Sequence, residues 1–417
     1  MPITEAYIAR QPILDRRKKV VAYELLFRDG NAAFMPNIDG DLATNTVLAN
    51  AFLAIGLDTL IGTKKAFINF TENLLKRKIP LLLPKENMVI EILEDITPTP
   101  ELIRACDEMI RAGYTLALDD FTYTDAMEPL IAMADIIKMD FRLTSQETIR
   151  QYLGKLPKRN GLRFLAEKVE TYEEFANALN MGFEFFQGYF FCKPELVKAK
   201  RISGSQLSLL RIIAEVNKHE FDLETIERMI APDVSLSYKL LRYINSAFFA
   251  KAQSIESIKQ ALVYMGKNEI RRFVSLVAMA ELSKGKPDEL LRTACIRGKF
   301  CELLATSTQN RSVSPAELFT LGIFSLIDAI MDQPMQQVME HLPLSDTIKQ
   351  TLIQRKGRLI GFLALVEFYE KGHWDYIERI ASTLKVDMER LPQLYAQACR
   401  WSNELLDGHD GDDAQRG

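Results

Sequence analysis

A chain of 417 residues that is 47% hydrophobic and 26% charged has the composition of an ordinary globular protein, long enough for two or three domains. Its net charge of −4 gives no electrostatic case for bulk nucleic acid or an anionic membrane, and no apolar stretch reaches the length of a membrane span. Residues 1–10 lack a signal-peptide core, which places the chain in the cytoplasm, and Cys106, Cys192, Cys295, Cys301 and Cys399 form no Cys-x-x-Cys pair, which argues against a disulfide framework or a structural zinc site.

In chain order, Val20 to Arg28 reads as a strand with one carboxylate, Glu24, inside it and Arg28 at its end. Asp41 to Ile55 has apolar residues at helical spacing and Gly56 as a stop. Ala66 to Phe70 is a short strand with Asn69 near its end, and Met88 to Glu94 repeats the design with Glu91. Thr99-Pro100-Glu101 opens a helix with a cap and a first-turn proline, and the helix runs to Gly113.

Leu116-Ala117-Leu118 is then a buried strand that ends in Asp119-Asp120. Two adjacent anions are costly to bury unless a cation compensates them, although a lone pair also fits a capped, solvated turn. Ile136 to Asp140 carries Lys138 between apolar residues, and Phe164 to Glu167 ends in a carboxylate. Thr171-Tyr172-Glu173-Glu174 has the form of a capping box for a helix ending at Gly182, and Phe183 to Tyr189, with Gln187, is the last strand.

This alternation over about 200 residues predicts an α/β fold, a TIM-like (β/α) barrel. Glu24, Asn69, Glu91, Asp119, Asp120, Lys138, Glu167 and Gln187 all fall within or at the ends of successive strands, and such barrels gather their active sites at the strands' C-terminal face. Carboxylates with amide carbonyls suit Mg²⁺ or Mn²⁺ better than zinc or copper.

The ordered set resembles the EAL domain, a phosphodiesterase of the second messenger cyclic di-GMP, from about Tyr7 to Pro194. Its signature is matched by Glu24-Leu25-Leu26-Phe27-Arg28, with leucine in place of the alanine that gives the family its name. The resemblance implies metal ligands at Glu24, Asn69, Glu91 and Asp119, with Asp120 on a second ion. Lys138, Glu167 and Gln187 match catalytic and support positions, Glu94 the residue that steadies the loop after Asp120, and Glu170 the second acid of Ala-Glu-x-Val-Glu. Arg28 has the planar fork that grips a phosphate. The implied activity is two-metal hydrolysis of cyclic di-GMP to linear pGpG, controlling second-messenger level and with it motility and biofilm switching. A homodimer through the barrel is also implied. Where the family has a Gly/Tyr/Ser-rich loop after Asp-Asp-Phe-Gly, this chain has Phe121-Thr122-Tyr123-Thr124-Asp125. A weak or inactive barrel that senses cyclic di-GMP or binds a protein therefore remains the alternative.

After Pro194 the pattern becomes helical, with a seam near Lys198 to Ser205 and Gly266 as a stop after Ile258 to Met265. Ser314-Pro315-Ala316-Glu317 combines a cap, a proline and a capping-box Glu. Leu240 to Ala247 and Ile255 to Gly266 resemble the HDOD domain, a relative of the HD phosphohydrolases. The predicted division is an EAL domain over 1–200, an all-α HDOD domain over 203–405 and a disordered tail over 406–417. His219, His341 and His373 are isolated, and the His409-Asp410 pair lies in the tail, so the helical half reads as a non-catalytic module with a protein partner of its own.

Overall fold

The computed structural model describes residues 6–29, 57–195, 204–218, 220–245, 255–308, 313–342 and 344–407. The helix expected over 41–55, His219 and the tail from residue 408 lie outside them.

Eight strands close into a barrel in chain order: β1 (Ala6–Asp15), β2 (Val20–Asp29), β3 (Lys65–Phe70), β4 (Met88–Ile92), β5 (Thr115–Leu118), β6 (Ile136–Asp140), β7 (Arg163–Glu167) and β8 (Phe185–Gln187). Between them lie α1 (Leu57–Ile61), α2 (Glu72–Lys76), α3 (Pro100–Arg111), α4 (Glu128–Met133), α5 (Gln146–Lys155) and α6 (Tyr172–Asn180). Thr99 caps α3 by accepting from the Leu102 amide, and Thr171 and Glu174 complete the capping box of α6.

The barrel departs from the regular all-parallel form in its first strand, which precedes the elements read from the sequence. β2 to β8 pair in parallel, whereas β1 is antiparallel to both β2 and β8. The cause is a tight turn: Asp15 Oδ1 accepts from the amides of Arg17 (2.8 Å) and Lys19 (2.9 Å), and Lys18 is left-handed at φ 61°. A connection that short can only join antiparallel strands. The last strand is also shorter than the expected Phe183 to Tyr189, because the chain turns at Gly188 (φ 141°) and passes into a 3₁₀ turn at Phe190–Cys192.

The barrel interior is packed with side chains. Ile13, Ala22, Phe67, Val89, Ala117, Ile136 and Leu165 form one apolar layer across it, with Phe185 packed against them.

The helices of the second half are α7 (Gly204–Val216), α8 (Leu223–Ile230), α9 (Val234–Ile244), α10 (Ile258–Leu282), α11 (Asp288–Ser307) and α12 (Pro315–Phe324). They continue as α13 (Ile327–Met331), α14 (Met335–His341), α15 (Asp346–Gln354), α16 (Ile360–Glu370), α17 (Trp374–Leu384) and α18 (Leu391–Asp407). Gly266 does break a helix, since its backbone (φ 69°, ψ 169°) kinks α10. Ser314 precedes α12 as expected, but its hydroxyl makes no capping hydrogen bond, and Arg358 holds the Glu317 carboxylate instead, at 2.6 Å. The backbones of α11 and α12 approach closely at Gly322, where a Cβ would sit 2.5 Å from the Arg297 carbonyl oxygen.

The compact units do not follow the division of the sequence. Met1–Lys193, Phe368–Ile377 and Met388–Asn403 form the first, and the rest of the chain forms the second. Within the first, the Trp374 ring lies 5.8 Å from that of Tyr7, the Tyr189 hydroxyl donates to the Glu370 carbonyl (3.0 Å), and Asn403 Nδ2 donates to the Thr59 carbonyl (3.1 Å). Two stretches of the expected 203–405 block, Phe368–Ile377 and Met388–Asn403, thus fall in the same compact unit as the barrel. The last helix, α18, runs through Leu406 to Asp407.

Candidate active site

Side chains alternate along a strand, so the residue two places beyond an interior apolar residue also points into the barrel, one layer higher. Two places beyond Ala22, Phe67, Val89, Ala117, Ile136, Leu165 and Phe185 stand Glu24, Asn69, Glu91, Asp119, Lys138, Glu167 and Gln187. The strand period thus converts seven scattered residues into one polar layer at the C-terminal mouth. β1 runs the other way, so its contribution lies two places before Ile13, at Gln11. Gln11 pairs with Glu24 in the sheet and accepts a hydrogen bond from Gln187 Nε2 at 3.0 Å.

Lys138 is fully buried at the centre of this layer, with Nζ 2.5 Å from Glu91 Oε1, 2.8 Å from Asp119 Oδ1, 2.9 Å from Glu167 Oε1 and 3.6 Å from Glu24 Oε1. Burial acts to lower the lysine pKa, but Glu167, Glu24, Glu91 and Asp119 together hold it well above its usual value. One ammonium faces four carboxylates, so the layer keeps an excess of negative charge. Burial drives the Glu91 carboxyl well above its ordinary range; Lys138 opposes this, and Glu24 and Asp119 add to it. Glu167 is raised in the same way, first by burial and then by Asp119 and Glu24.

Hydrogen bonds fix some of these groups and leave others open. Asn69 Nδ2 donates to Glu24 Oε1 (3.2 Å), and Gln187 Nε2 donates to Glu24 Oε2. The amide nitrogens are thereby spent on protein, while Asn69 Oδ1, Gln187 Oε1, Glu167 Oε2 and Asp120 Oδ1 are buried and accept no hydrogen bond. Buried oxygens without donors are the kind of lining that a bound cation would satisfy. Their carboxylates fall into two groups whose oxygens lie within 4.8 Å of one another: Glu24, Glu91 and Asp119, and Asp119, Asp120 and Glu167. Asp119 belongs to both. An all-oxygen set of this kind fits hard divalent cations.

Asp120 follows β5 with a left-handed backbone at φ 37°. The next amide, of Phe121, donates to the Lys138 carbonyl (3.0 Å), and the Phe121 ring is buried. The loop that departs from the family pattern is held by aromatic packing. Tyr123 lies 6.3 Å from Tyr152 of α5, and the Lys155 ammonium sits 4.9 Å from the Tyr123 ring centre.

Glu94 and Glu170 stand outside this layer and outside both carboxylate groups. Glu94 is exposed in the turn after β4, and among the described residues no hydrogen bond joins it to residues 121–125. Glu170 pairs with Arg142 and lies 3.4 Å from Lys193, because it sits beyond the end of β7 and has left the inward register. Arg28 lies near the end of β2, and its side chain is outside the described residues. Gln11 and Lys168 were not singled out from the sequence. The Gln11 signal was the polar residue between Tyr7-Ile8-Ala9 and Ile13-Leu14, which needed an extra strand ahead of Val20 to acquire meaning.

A model of the EAL domain matches residues 41–194, and one of the HDOD domain matches residues 206–356. The chain is 40% identical over 401 residues to cyclic di-GMP phosphodiesterase CdgJ of Vibrio cholerae serotype O1, covering 96% of this chain and 93% of that one. It is 37% identical over 409 residues to the uncharacterized protein YuxH of Bacillus subtilis, covering 96% of this chain and 99% of that one. A solved structure of a standalone EAL protein from Vibrio cholerae O395, with c-di-GMP bound, is 26% identical, covers 46% of this chain and 92% of that one, and superposes with a TM-score of 0.36.

Proposed function

This chain belongs to the EAL–HDOD family, and we propose that its barrel is a metal-dependent phosphodiesterase that opens cyclic di-GMP to linear pGpG. The observation that carries the reading is the layer of four carboxylates around the Lys138 ammonium, with buried oxygens left without hydrogen-bond donors. The reaction adds one water across one phosphate ester bond and releases one ribose hydroxyl.

In this reading Glu24, Asn69, Glu91 and Asp119 hold one divalent cation, Mg²⁺ or Mn²⁺, and Asp119, Asp120 and Glu167 hold a second. Bound there, the cations supply charge neutralisation at the phosphate and acidify a water. The chain's own residues do the rest. Gln187 and Asn69 fix both oxygens of Glu24, so its carboxylate meets its ligand in one orientation. Lys138 keeps the carboxylates from repelling one another out of the layer and offers a proton donor or a positive charge at the mouth. Arg28 is assigned to the substrate phosphate, and Glu170, through Arg142 and Lys193, to support of the loops around the site.

The helical unit is assigned a regulatory role through a protein partner, supported by the scattering of its histidines, and the barrel a homodimer contact. The location assigned is the cytoplasm; no described helix is long and apolar enough to cross a membrane. The test is the purified chain incubated with cyclic di-GMP and Mg²⁺ or Mn²⁺, with products separated by chromatography. Formation of pGpG that stops on chelation is expected; tight binding of the dinucleotide without product under either metal would instead establish a sensor.

A further inference from the structure

Lys168 follows the buried carboxylate of Glu167, yet its ammonium turns to two other acids. It lies against Asp140 Oδ2 and 3.5 Å from Asp120 Oδ2. Its backbone is left-handed at φ 54°, a region uncommon outside glycine. Asp140 is built to receive it: the acid is buried, and its Oδ1 accepts from the amides of Arg142 (2.6 Å) and Leu143 (3.0 Å), which leaves Oδ2 for the lysine. Asp120 is divided between two directions. Its Oδ2 faces Lys168, while its Oδ1 is buried without a hydrogen-bond donor. Asp120 belongs to the group with Asp119 and Glu167, and Glu167 is itself more than nine-tenths buried with its Oε2 unpartnered.

We infer that Lys168 is an internal competitor for the second cation, and that Asp140 sets the strength of the competition. This rests on the two-cation reading of the site. An ammonium on Asp120 neutralises part of the charge that attracts a divalent ion to the Asp119, Asp120 and Glu167 group, and it repels the ion directly. Asp140 draws the same ammonium away from Asp120 and so favours entry of the ion. Occupancy of the second position, and with it turnover, then depends on divalent cation concentration. The group of Glu24, Glu91 and Asp119 makes no contact with Lys168 and is unaffected to first order.

Titration of the full chain with Mn²⁺, followed by calorimetry and by the electron paramagnetic resonance of free Mn²⁺, tests this without recourse to activity. Lys168→Met is expected to tighten the second binding step about tenfold, the scale on which groups behind the ligands tune a bound metal, and to leave the first step unchanged. Lys168→Gly also relieves the left-handed backbone and is expected to give the same tightening, which assigns the effect to charge. Asp140→Asn keeps the Oδ1 acceptor but releases the ammonium, so it is expected to weaken the second step, and to have no effect when combined with Lys168→Met. Two steps of unchanged affinity in Lys168→Met would overturn the inference while leaving the two-cation site intact. Fewer than two ions bound by both the unaltered chain and Lys168→Met would overturn the two-cation reading and this inference with it.

Discussion

Gln187 donates its side-chain amide to the carboxylate of Glu24, two residues 163 positions apart in the chain. The contact joins β8 to β2 across β1, and it explains why a glutamine closes the last strand. An amide donor fixes one carboxylate oxygen without adding charge to a layer already rich in it. Gln187→Ala is therefore expected to lower Mn²⁺ affinity and turnover by about 10–100-fold, with little change in far-UV dichroism. A variant with unaltered metal affinity would show that Glu24 needs no such support.

Lys138 is the one cation within contact distance of Glu24, Glu91, Asp119 and Glu167 among the described residues, so its removal leaves four carboxylates uncompensated. Lys138→Met nearly preserves side-chain volume. Metal-free, it is expected to lose roughly 3–5 kcal/mol of stability in denaturant unfolding, the usual cost of breaking a buried ion pair from one side. Saturating Mn²⁺ should restore much of that loss while turnover stays depressed. A variant as stable as the parent in chelator would contradict the charge balance drawn here.

The raised pKa values of Glu91 and Glu167 fix the sign of a pH effect in the metal-free protein. The folded chain keeps these protons to higher pH than the unfolded chain does, so it binds more protons, and stability falls as pH rises above the ordinary carboxylate range. Cation binding must displace the same protons, so Mn²⁺ affinity should rise with pH over that window. Unfolding curves in chelator and Mn²⁺ titrations between pH 5 and pH 8 measure both slopes, which are expected to have opposite signs.

Gly188, next to Gln187, has φ 141°, and a Cβ there would lie 2.0 Å from the Val169 carbonyl oxygen. That carbonyl accepts from the Phe190 amide, and the Val169 amide donates to the Gln187 carbonyl, so the two chains are laced together at the site. Gly188→Ala must force them apart. A loss of about 1–3 kcal/mol in stability is expected, together with a fall in turnover from the displaced Gln187. Thermal melting and assay of the same preparation separate the two effects.

What the sequence made legible was the parallel part of the barrel. A polar residue within or at the end of a short apolar strand is conspicuous, and Glu24, Asn69, Glu91, Asp119, Asp120, Lys138, Glu167 and Gln187 all stand out that way. Gln11 escaped because its strand is antiparallel, so its polar residue precedes the interior one. Lys168 escaped because its significance is a pairing with Asp120 and Asp140, which lie on or beside other strands. Glu94 and Glu170 rest on the family resemblance alone, and strand register carries neither into the inner layer. The return of the C-terminal segments to the barrel left no periodic signal, since a helix stripe shows that a face is buried but not against what.

That return changes what a truncation can be expected to do. A chain ending near Lys200 contains every strand of the barrel, and on sequence alone it reads as a complete domain. In the structure it lacks Phe368–Ile377 and Met388–Asn403, which supply the Trp374 ring beside Tyr7, the Glu370 carbonyl for the Tyr189 hydroxyl and the Asn403 side chain on the Thr59 carbonyl. Tyr7 lies on β1, the strand that carries Gln11, and Tyr189 follows Gln187 by two residues. Loss of the segments therefore uncovers apolar surface behind two residues of the inner layer. The 1–200 fragment is expected to melt at lower temperature than the barrel within the full chain and to bind Mn²⁺ more weakly. Trp374→Ala in the full chain isolates the ring contact with Tyr7 and should cost on the order of 2 kcal/mol. A fragment that melts and binds Mn²⁺ like the intact protein would show that the barrel is self-sufficient and that the returning helices only rest on it.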